Sequence, residues 1–249
     1  MPRAVVAMFV LLVASGCSGT GSAVPSSTAP VASGASSTAT ATPTTSPSPT
    51  PSPALVLPPG VPSTYIGNEA AGDVPIRALV PKDATVSGSW FAPIGATRTT
   101  IVVVYARGSD PLRAEHGLVV WSEFPDAPRW RAVYGLRDKA GAGVLGIGVS
   151  TVDATGDRVP DVLSFEATGG SGGCGTYRLL SLADLAEVFV RDVCDTVIEI
   201  SSPAGLTVTE AVFGPGDPHC CPSAQRVTTL RYSGTTWKTT SKRTIPLAP

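Results

Sequence analysis

Charged residues and histidine are scarce in this chain of 249 residues. Lysine and arginine total 18 against 19 aspartates and glutamates, so the formal net charge is -1, and only His116 and His219 supply an imidazole. Proteins that bind nucleic acid phosphates need clustered basic residues. The composition therefore argues against nucleic acid as a partner, and it leaves few candidate bases for catalysis.

An apolar segment long enough to span a membrane is also lacking. The run Ala4 to Val13 is uncharged, but it is about half of the roughly 20 residues that a spanning helix needs. It follows Arg3 and precedes the small residues at positions 14–16. This order of basic, apolar and small residues is typical of an export signal, so residues 1–16 are predicted to be a signal peptide.

The end of this signal carries a cysteine. The residues Ala14-Ser15-Gly16-Cys17 resemble the lipobox of bacterial lipoproteins, which implies a diacylglycerol on Cys17 and cleavage before it. The chain has five cysteines, and lipidation of Cys17 leaves an even four for disulfides. We therefore expect a lipoprotein held in the cell membrane by its lipid, on the extracytoplasmic face.

The segment after the cysteine lacks the residues that build a core. From Ser18 to Pro53 there is no charged residue, no aromatic residue, no leucine and no isoleucine. Such a composition cannot bury enough apolar surface to fold. Residues 17–54 are therefore predicted to be a disordered linker, and its repeated prolines favour an extended chain with a reach on the order of 100 Å.

The remaining residues, 55–249, are enough for one domain. Short runs rich in valine, isoleucine, threonine and aromatic residues alternate with glycine, proline and aspartate, which predicts an antiparallel all-β fold, either a sandwich or part of a β-propeller. The predicted strands are Ile76 to Val80, Thr100 to Ala106, Gly117 to Glu123, Trp130 to Tyr134, Val144 to Val152, Val162 to Glu166, Thr176 to Leu182, Glu187 to Arg191, Val197 to Ser201, Leu206 to Phe213, Arg226 to Tyr232 and Trp237 to Thr240. A short helix within Ser181 to Phe189 is an alternative.

One predicted loop has the oxygen-rich pattern with which short loops bind a hard cation such as calcium. Its sequence, Asp153-Ala154-Thr155-Gly156-Asp157-Arg158-Val159-Pro160-Asp161, resembles the loop of FG-GAP and VCBS repeats, which build integrin-type β-propellers. The resemblance implies side-chain ligands from Asp153, Thr155, Asp157 and Asp161 and the carbonyl of Val159. Departures from the family are Thr155 at the third position and Arg158 at the sixth. The alternative is that the aspartates cap a tight turn.

Four cysteines remain for disulfides. Cys174 and Cys194 lie equally far from Asp184, so a hairpin centred there brings their sulfurs together. Cys220 and Cys221 are adjacent, and a bond between neighbours closes a strained ring, so each alternatively bonds one of the other two. Three pairings are open. The region from His219 to Trp237 resembles the C-terminal end of domains in actinobacterial secreted proteins and lipoproteins.

The sequence contains no convincing catalytic set. The segment Gly169 to Gly173 matches the serine hydrolase expression G-x-S-x-G, but it lacks the strand and helix that the motif needs. Glycosidases use two carboxylates that face one cleft. The sequence alone does not show that Glu166 and a loop aspartate are arranged in this way. We therefore expect a monomeric, non-enzymatic protein whose β-domain binds an envelope protein or glycan, with calcium as its one candidate cofactor. The alternatives are a hydrolase of envelope glycan or peptide and a structural or assembly lipoprotein.

Overall fold

Runs of β-branched and aromatic residues form the strands of this protein. A computed structural model describes residues 56–67, 69–95, 98–110, 113–126, 129–137, 144–169, 173–201 and 204–247. All of these residues belong to one compact unit, Pro47–Pro249. The predicted signal peptide, Cys17 and the linker lie outside the described residues. Within the described part, no helix is long and apolar enough to cross a membrane.

The described residues form strands throughout the unit and two short 3-10 helices, Ala71–Asp73 and Ile76–Leu79. The strands are β1 Thr64–Tyr65, β2 Thr85–Ile94, β3 Arg98–Arg107, β4 Glu115–Glu123, β5 Trp130–Arg137, β6 Gly146–Val152, β7 Asp161–Gly169, β8 Cys174–Ser181, β9 Ala186–Val193, β10 Thr196–Ile200, β11 Leu206–Val212, β12 Ala224–Tyr232 and β13 Trp237–Pro246. The predicted all-β class is confirmed.

The strands make three antiparallel sheets in chain order. The first sheet has the order β1-β5-β4-β3-β2, the second has β6-β7-β8-β9, and the third has β10-β11-β12-β13. Within each sheet, paired strands are consecutive in sequence, except that β1 pairs with β5. Short connections between consecutive strands make such antiparallel pairing the simplest topology.

The central strands of the first sheet are apolar on both faces because each face contributes to a different core. Ile101, Val103 and Tyr105 of β3 lie in a core that includes the 3-10 helix residue Leu79. The residue Val102, between them, lies in a core shared with the second sheet. A strand buried on both faces needs a continuous apolar run rather than an alternating one, which is the pattern that β3 has.

The second sheet likewise divides its residues between two cores. Val162 and Leu180 pack toward the first sheet, whereas Leu163 and Leu179 pack toward the third sheet. The indole Nε1 of Trp237 donates to the carbonyl of Val188, 2.8 Å away, and so joins the third sheet to the second. The three sheets therefore pack face to face in succession.

The outer face of the third sheet has no described element packed on it. On β10, Ile198 is buried against the second sheet, but the preceding Val197 is 52% exposed. Strand β12 is partly exposed along its whole length, and every residue of β13 after Trp237 is exposed. The third sheet is thus the uncovered end of the stack.

One predicted strand is wrong. Residues 76–80 were expected to be a strand, but Ile76–Leu79 form a 3-10 helix in which the N–H of Ala78 donates to the carbonyl of Pro75, 2.7 Å away. Pro75 and Pro81 flank the segment and have no N–H to donate to a sheet. The three-residue spacing of Ile76 and Leu79 directs both side chains to the first core.

Two further differences follow from local sequence. Strand β2 was not predicted because Gly88 and Pro93 interrupt its apolar pattern. It is an edge strand, where proline is tolerated. The alternative helix near Ser181 is absent, since the described residues 182–185 form the turn between β8 and β9, with Leu185 in the left-handed region at φ 53°.

Candidate functional site

The loop Asp153–Asp161 joins β6 to β7 and is closed by its own carboxylates. Asp153 accepts two backbone N–H groups, that of Gly156 on Oδ1 at 2.6 Å and that of Arg158 on Oδ2 at 2.9 Å. Gly156 and Arg158 have φ angles of 87° and 70°. Arg158 therefore occupies a left-handed backbone position, which is unfavourable for a residue with a side chain.

Asp161 anchors the loop from the first position of β7. Its side chain is fully buried, and Oδ2 accepts the N–H groups of Ala154 and Thr155, both at 2.8 Å. Burial raises the pKa of Asp161 to about 6, and the two N–H donors oppose this rise. The backbone of the loop is therefore organised around a carboxylate withdrawn from water.

The predicted cation ligands are only partly brought together. Two oxygens of the loop, Thr155 Oγ1 and Asp161 Oδ1, are buried and lack a well-aligned hydrogen-bond partner, and buried oxygens of this kind suit a hard cation. Asp157 Oδ1 accepts the N–H of Val159 at 2.7 Å. Among the described residues, no three histidine, cysteine or acidic side chains are arranged to hold a metal. The two buried oxygens fit a cation, and the calcium site stays a prediction.

The four cysteines of the domain divide into two pairs. Cys174 and Cys194 form a disulfide at the open end of the β8–β9 hairpin, with 4.0 Å between their Cα atoms. This is one of the three pairings that the sequence leaves open, and it is the one that a hairpin centred on Asp184 permits. Cys220 and Cys221 are exposed and are not bonded to the first pair, and their Sγ atoms lie 2.8 Å apart.

The loop that carries these adjacent cysteines connects β11 to β12 and is held by Asp217. Oδ2 of Asp217 accepts the N–H of Gly214 at 2.6 Å and the N–H of Ser223 at 2.9 Å. The first of these donors has the larger effect in holding the pKa of Asp217 below its usual range. The two cysteines are thus presented by a loop with fixed ends.

The carboxylate Glu166 does not join the Asp153–Asp161 loop. It lies five residues into β7, and its Oε1 accepts a hydrogen bond from Arg178 Nε at 2.8 Å. Arg178 also pairs with Glu187, whose other carboxylate oxygen accepts the Tyr134 hydroxyl at 2.6 Å. The polar cluster therefore links the first two sheets, and it does not bring Glu166 to the loop aspartates.

The two histidines are also separated. His116 is buried on β4 of the first sheet, whereas His219 lies on the β11–β12 loop with its ring centred 5.7 Å from that of Phe213. The central residues of the G-x-S-x-G match, 170–172, lie outside the described part of the chain. The histidines are placed on different sheets and do not form a shared base site.

The last hairpin carries a concentration of positive charge that was not predicted from the sequence. No aspartate or glutamate follows Asp217 in the chain. The strands β12 and β13 carry five basic residues, which are Arg226, Arg231, Lys238, Lys242 and Arg243. The near-neutral total charge concealed this segregation, although a count by segment would have found it. We call these two strands the basic hairpin.

Comparisons with known proteins give this site no precedent. No family model matches the chain, and neither a curated protein nor a solved structure matches it. Function must therefore be argued from the residues themselves.

Proposed function

We propose that this chain is a lipid-anchored protein of the cell envelope, without enzymatic activity, whose β-domain binds an anionic wall polymer through the basic hairpin. The observation that carries the proposal is the separation of charge: the hairpin has five basic residues and no acidic residue. Clustered charge of one sign attracts polymers of the opposite sign over distances near the Debye length.

Three of the five cations are available for a partner. Arg226 lies 3.8 Å from a carboxylate oxygen of Glu210, and Arg231 donates to the carbonyl of Ala204. Lys238, Lys242 and Arg243 are exposed on β13 and make no ion pair with a described residue. Strand β13 alternates its side chains between the two faces of the sheet, so the hairpin offers cations on both sides of one edge.

The position of β13 disfavours a second copy of this chain as the occupant. It is an edge strand of ten residues, paired only with β12. Lysine and arginine on an edge strand discourage pairing with a like strand, because the charges would repel one another. An anionic partner avoids that repulsion, because its negative charges are attracted to the lysines and arginine of β13.

The predicted anchor favours a wall polymer over anionic lipid as the partner of the basic hairpin. The predicted linker, residues 17–54, would reach on the order of 100 Å if extended. Leu57, the second residue of the described chain, packs against the first core, whereas the basic hairpin belongs to the third sheet. The described chain therefore starts at the first sheet, and the hairpin lies in the third. The linker has no acidic residue between Ser18 and Pro53, so it does not compete for the site.

The disulfide between Cys174 and Cys194 supports the extracytoplasmic part of the proposal. Structural disulfides form and persist in oxidising compartments. A calcium ion at the Asp153–Asp161 loop is a second part of the proposal, favoured by the buried oxygens Thr155 Oγ1 and Asp161 Oδ1, which lack a well-aligned hydrogen-bond partner. The ion would stiffen the turn between β6 and β7, and nothing in the binding proposal depends on it.

The test uses the mature chain from Ser18 onward, without its lipid, and immobilised poly(glycerol phosphate) as the anionic probe. We expect binding that weakens steeply as salt rises. The variant Lys238→Gln, Lys242→Gln, Arg243→Gln should bind about tenfold more weakly, because three exposed charge contacts are lost at roughly 0.5 kcal/mol each. The matched control is Lys82→Gln, Arg113→Gln, Arg158→Gln, which removes the same charge elsewhere and should bind normally.

The outcomes separate the competing functions. Equal binding by the two triple variants, or equal binding to neutral dextran, would contradict the proposal. Stronger binding to vesicles containing phosphatidylglycerol would identify a membrane surface as the partner instead. Release of shorter polymer fragments would support the hydrolase alternative, and the absence of any binding would favour a structural or assembly role.

A further inference from the structure

Cys220 and Cys221 are adjacent in the loop between β11 and β12, and neither is in a disulfide bond. Cys174 and Cys194 are bonded together. Cys17, the fifth cysteine, is the predicted site of the lipid. Cys220 and Cys221 are therefore the pair left to react in an oxidising compartment.

The geometry of the loop favours a bond between these neighbours. Their Sγ atoms lie 2.8 Å apart, and a disulfide bond is about 2.05 Å long, so closure requires a movement of less than about 1 Å. Both side chains are exposed and accessible to a reagent. Asp217 holds the ends of the loop through Gly214 and Ser223, and the N–H of Cys221 donates to the carbonyl of Pro218 at 2.9 Å.

We propose that Cys220 and Cys221 form a disulfide with each other in the exported protein, and that this bond is a site of reversible thiol–disulfide exchange. The inference rests on the extracytoplasmic location in the proposed function. The oxidant is a disulfide compound, either small or protein-borne. One thiolate attacks it to form a mixed disulfide, and the second thiolate then displaces the remaining thiol. Two cysteine thiols and one external disulfide thus become one internal disulfide and two external thiols.

The bond between neighbours differs from the hairpin disulfide in its reactivity. A disulfide between adjacent residues closes an eight-membered ring that includes a peptide bond, and this ring is strained. Strained, exposed disulfides are more readily reduced than structural ones. Cys174 and Cys194 join two strands that pair directly, Gly175 lying opposite Val193. We therefore expect a mild reductant to open the Cys220–Cys221 bond first.

The experiment measures the thiol state of the full chain, exported and purified without reductant. The protein is unfolded in iodoacetamide, digested and analysed by mass spectrometry. We expect the peptide with Cys220 and Cys221 to be unalkylated and about 2 Da lighter than its dithiol form, since oxidation removes two hydrogens. After brief exposure to millimolar glutathione, both should be alkylated while the Cys174–Cys194 bond persists.

A matched variant and the hairpin disulfide serve as controls. Cys221→Ser should leave Cys220 alkylated or bonded to an external thiol, with the Cys174–Cys194 bond unchanged. Alkylation of Cys220 and Cys221 in the untreated protein, with Cys174–Cys194 intact, would overturn this inference alone. A bond from either residue to Cys174 or Cys194 would also overturn it. Alkylation of all four cysteines would overturn the oxidising location, and with it both proposals.

Discussion

The buried carboxylate of Asp161 makes the stability of the domain depend on pH in a direction opposite to that of an ordinary ion-paired aspartate. Its pKa is raised to about 6 by burial, against an ordinary value of 3.8. Between these values the folded chain binds more protons than the unfolded chain, so stability falls as pH rises. The difference between the two pKa values corresponds to about 3 kcal/mol of folding stability. This stability is present at pH values below the ordinary pKa and is fully lost above about pH 6.

The variant Asp161→Asn tests this reasoning. Asparagine keeps an oxygen that accepts the N–H groups of Ala154 and Thr155, but it has no proton to lose. From about pH 4 to pH 7, its free energy of unfolding should rise relative to that of the wild type by about 3 kcal/mol. Urea unfolding followed by tryptophan fluorescence, in chelator, measures the difference. Glu199→Gln, which removes an exposed carboxylate from β10, is the matched control.

A second variant separates the charge from the hydrogen bonds. Asp161→Ala leaves the N–H groups of Ala154 and Thr155 without an acceptor. Each buried donor that loses its acceptor costs about 1 to 3 kcal/mol of stability. It should therefore be less stable than Asp161→Asn at every pH. The account of this carboxylate would be refuted if the free energy of unfolding of Asp161→Asn, minus that of the wild type, stayed constant or fell as pH rises from about 4 to 7.

Three further perturbations test other parts of the molecule. Millimolar calcium should raise the melting temperature relative to chelator, and Asp157→Ala should abolish the rise, because an ion bound only by the folded state stabilises it; an unchanged melting temperature would assign the aspartates to the turn alone. Trp121→Phe removes the buried hydrogen bond from Nε1 to the Leu79 carbonyl, 3.1 Å away, and should lower the free energy of unfolding in urea by about 2 to 4 kcal/mol. An unchanged free energy of unfolding would contradict the stabilising role of this hydrogen bond. Replacing both Cys174 and Cys194 by serine should cost about 3 kcal/mol, because the bond closes a loop across a separation of 20 residues, and reduction of the wild type should reproduce the loss.

The strands were predictable from the sequence where their burial requires a continuous run of apolar residues. The run Thr100 to Ala106 is apolar because its alternate residues enter two cores, and it forms most of β3. The short apolar run at Ile76 alone did not distinguish a strand from a 3-10 helix, since runs of this length occur in both. Two flanking prolines decided the outcome there. Strand β2 escaped prediction because it lies at an edge, where glycine and proline cost little.

The candidate site was predictable in composition but not in arrangement. The oxygen-rich character of the Asp153–Asp161 loop is evident from sequence. The assignment of Asp161 Oδ2 to two N–H donors, and the burial of its other oxygen, depend on the packing of β7. The basic hairpin shows a different limit. Its charges are plain in the sequence, but only the pairing of Arg226 and Arg231 shows which cations are left for a partner.

The order of the sheets along the chain has a consequence for how the domain folds. Apart from β1, each strand pairs with one adjacent in sequence, and each shared core joins sheets that are consecutive along the chain. Contacts between nearby segments form faster than those that close long loops. A chain released N-terminus first can therefore complete one sheet and use its exposed face as the template for the next. Of the described sheets, the third is the last along the chain, and it is the one that carries the basic hairpin.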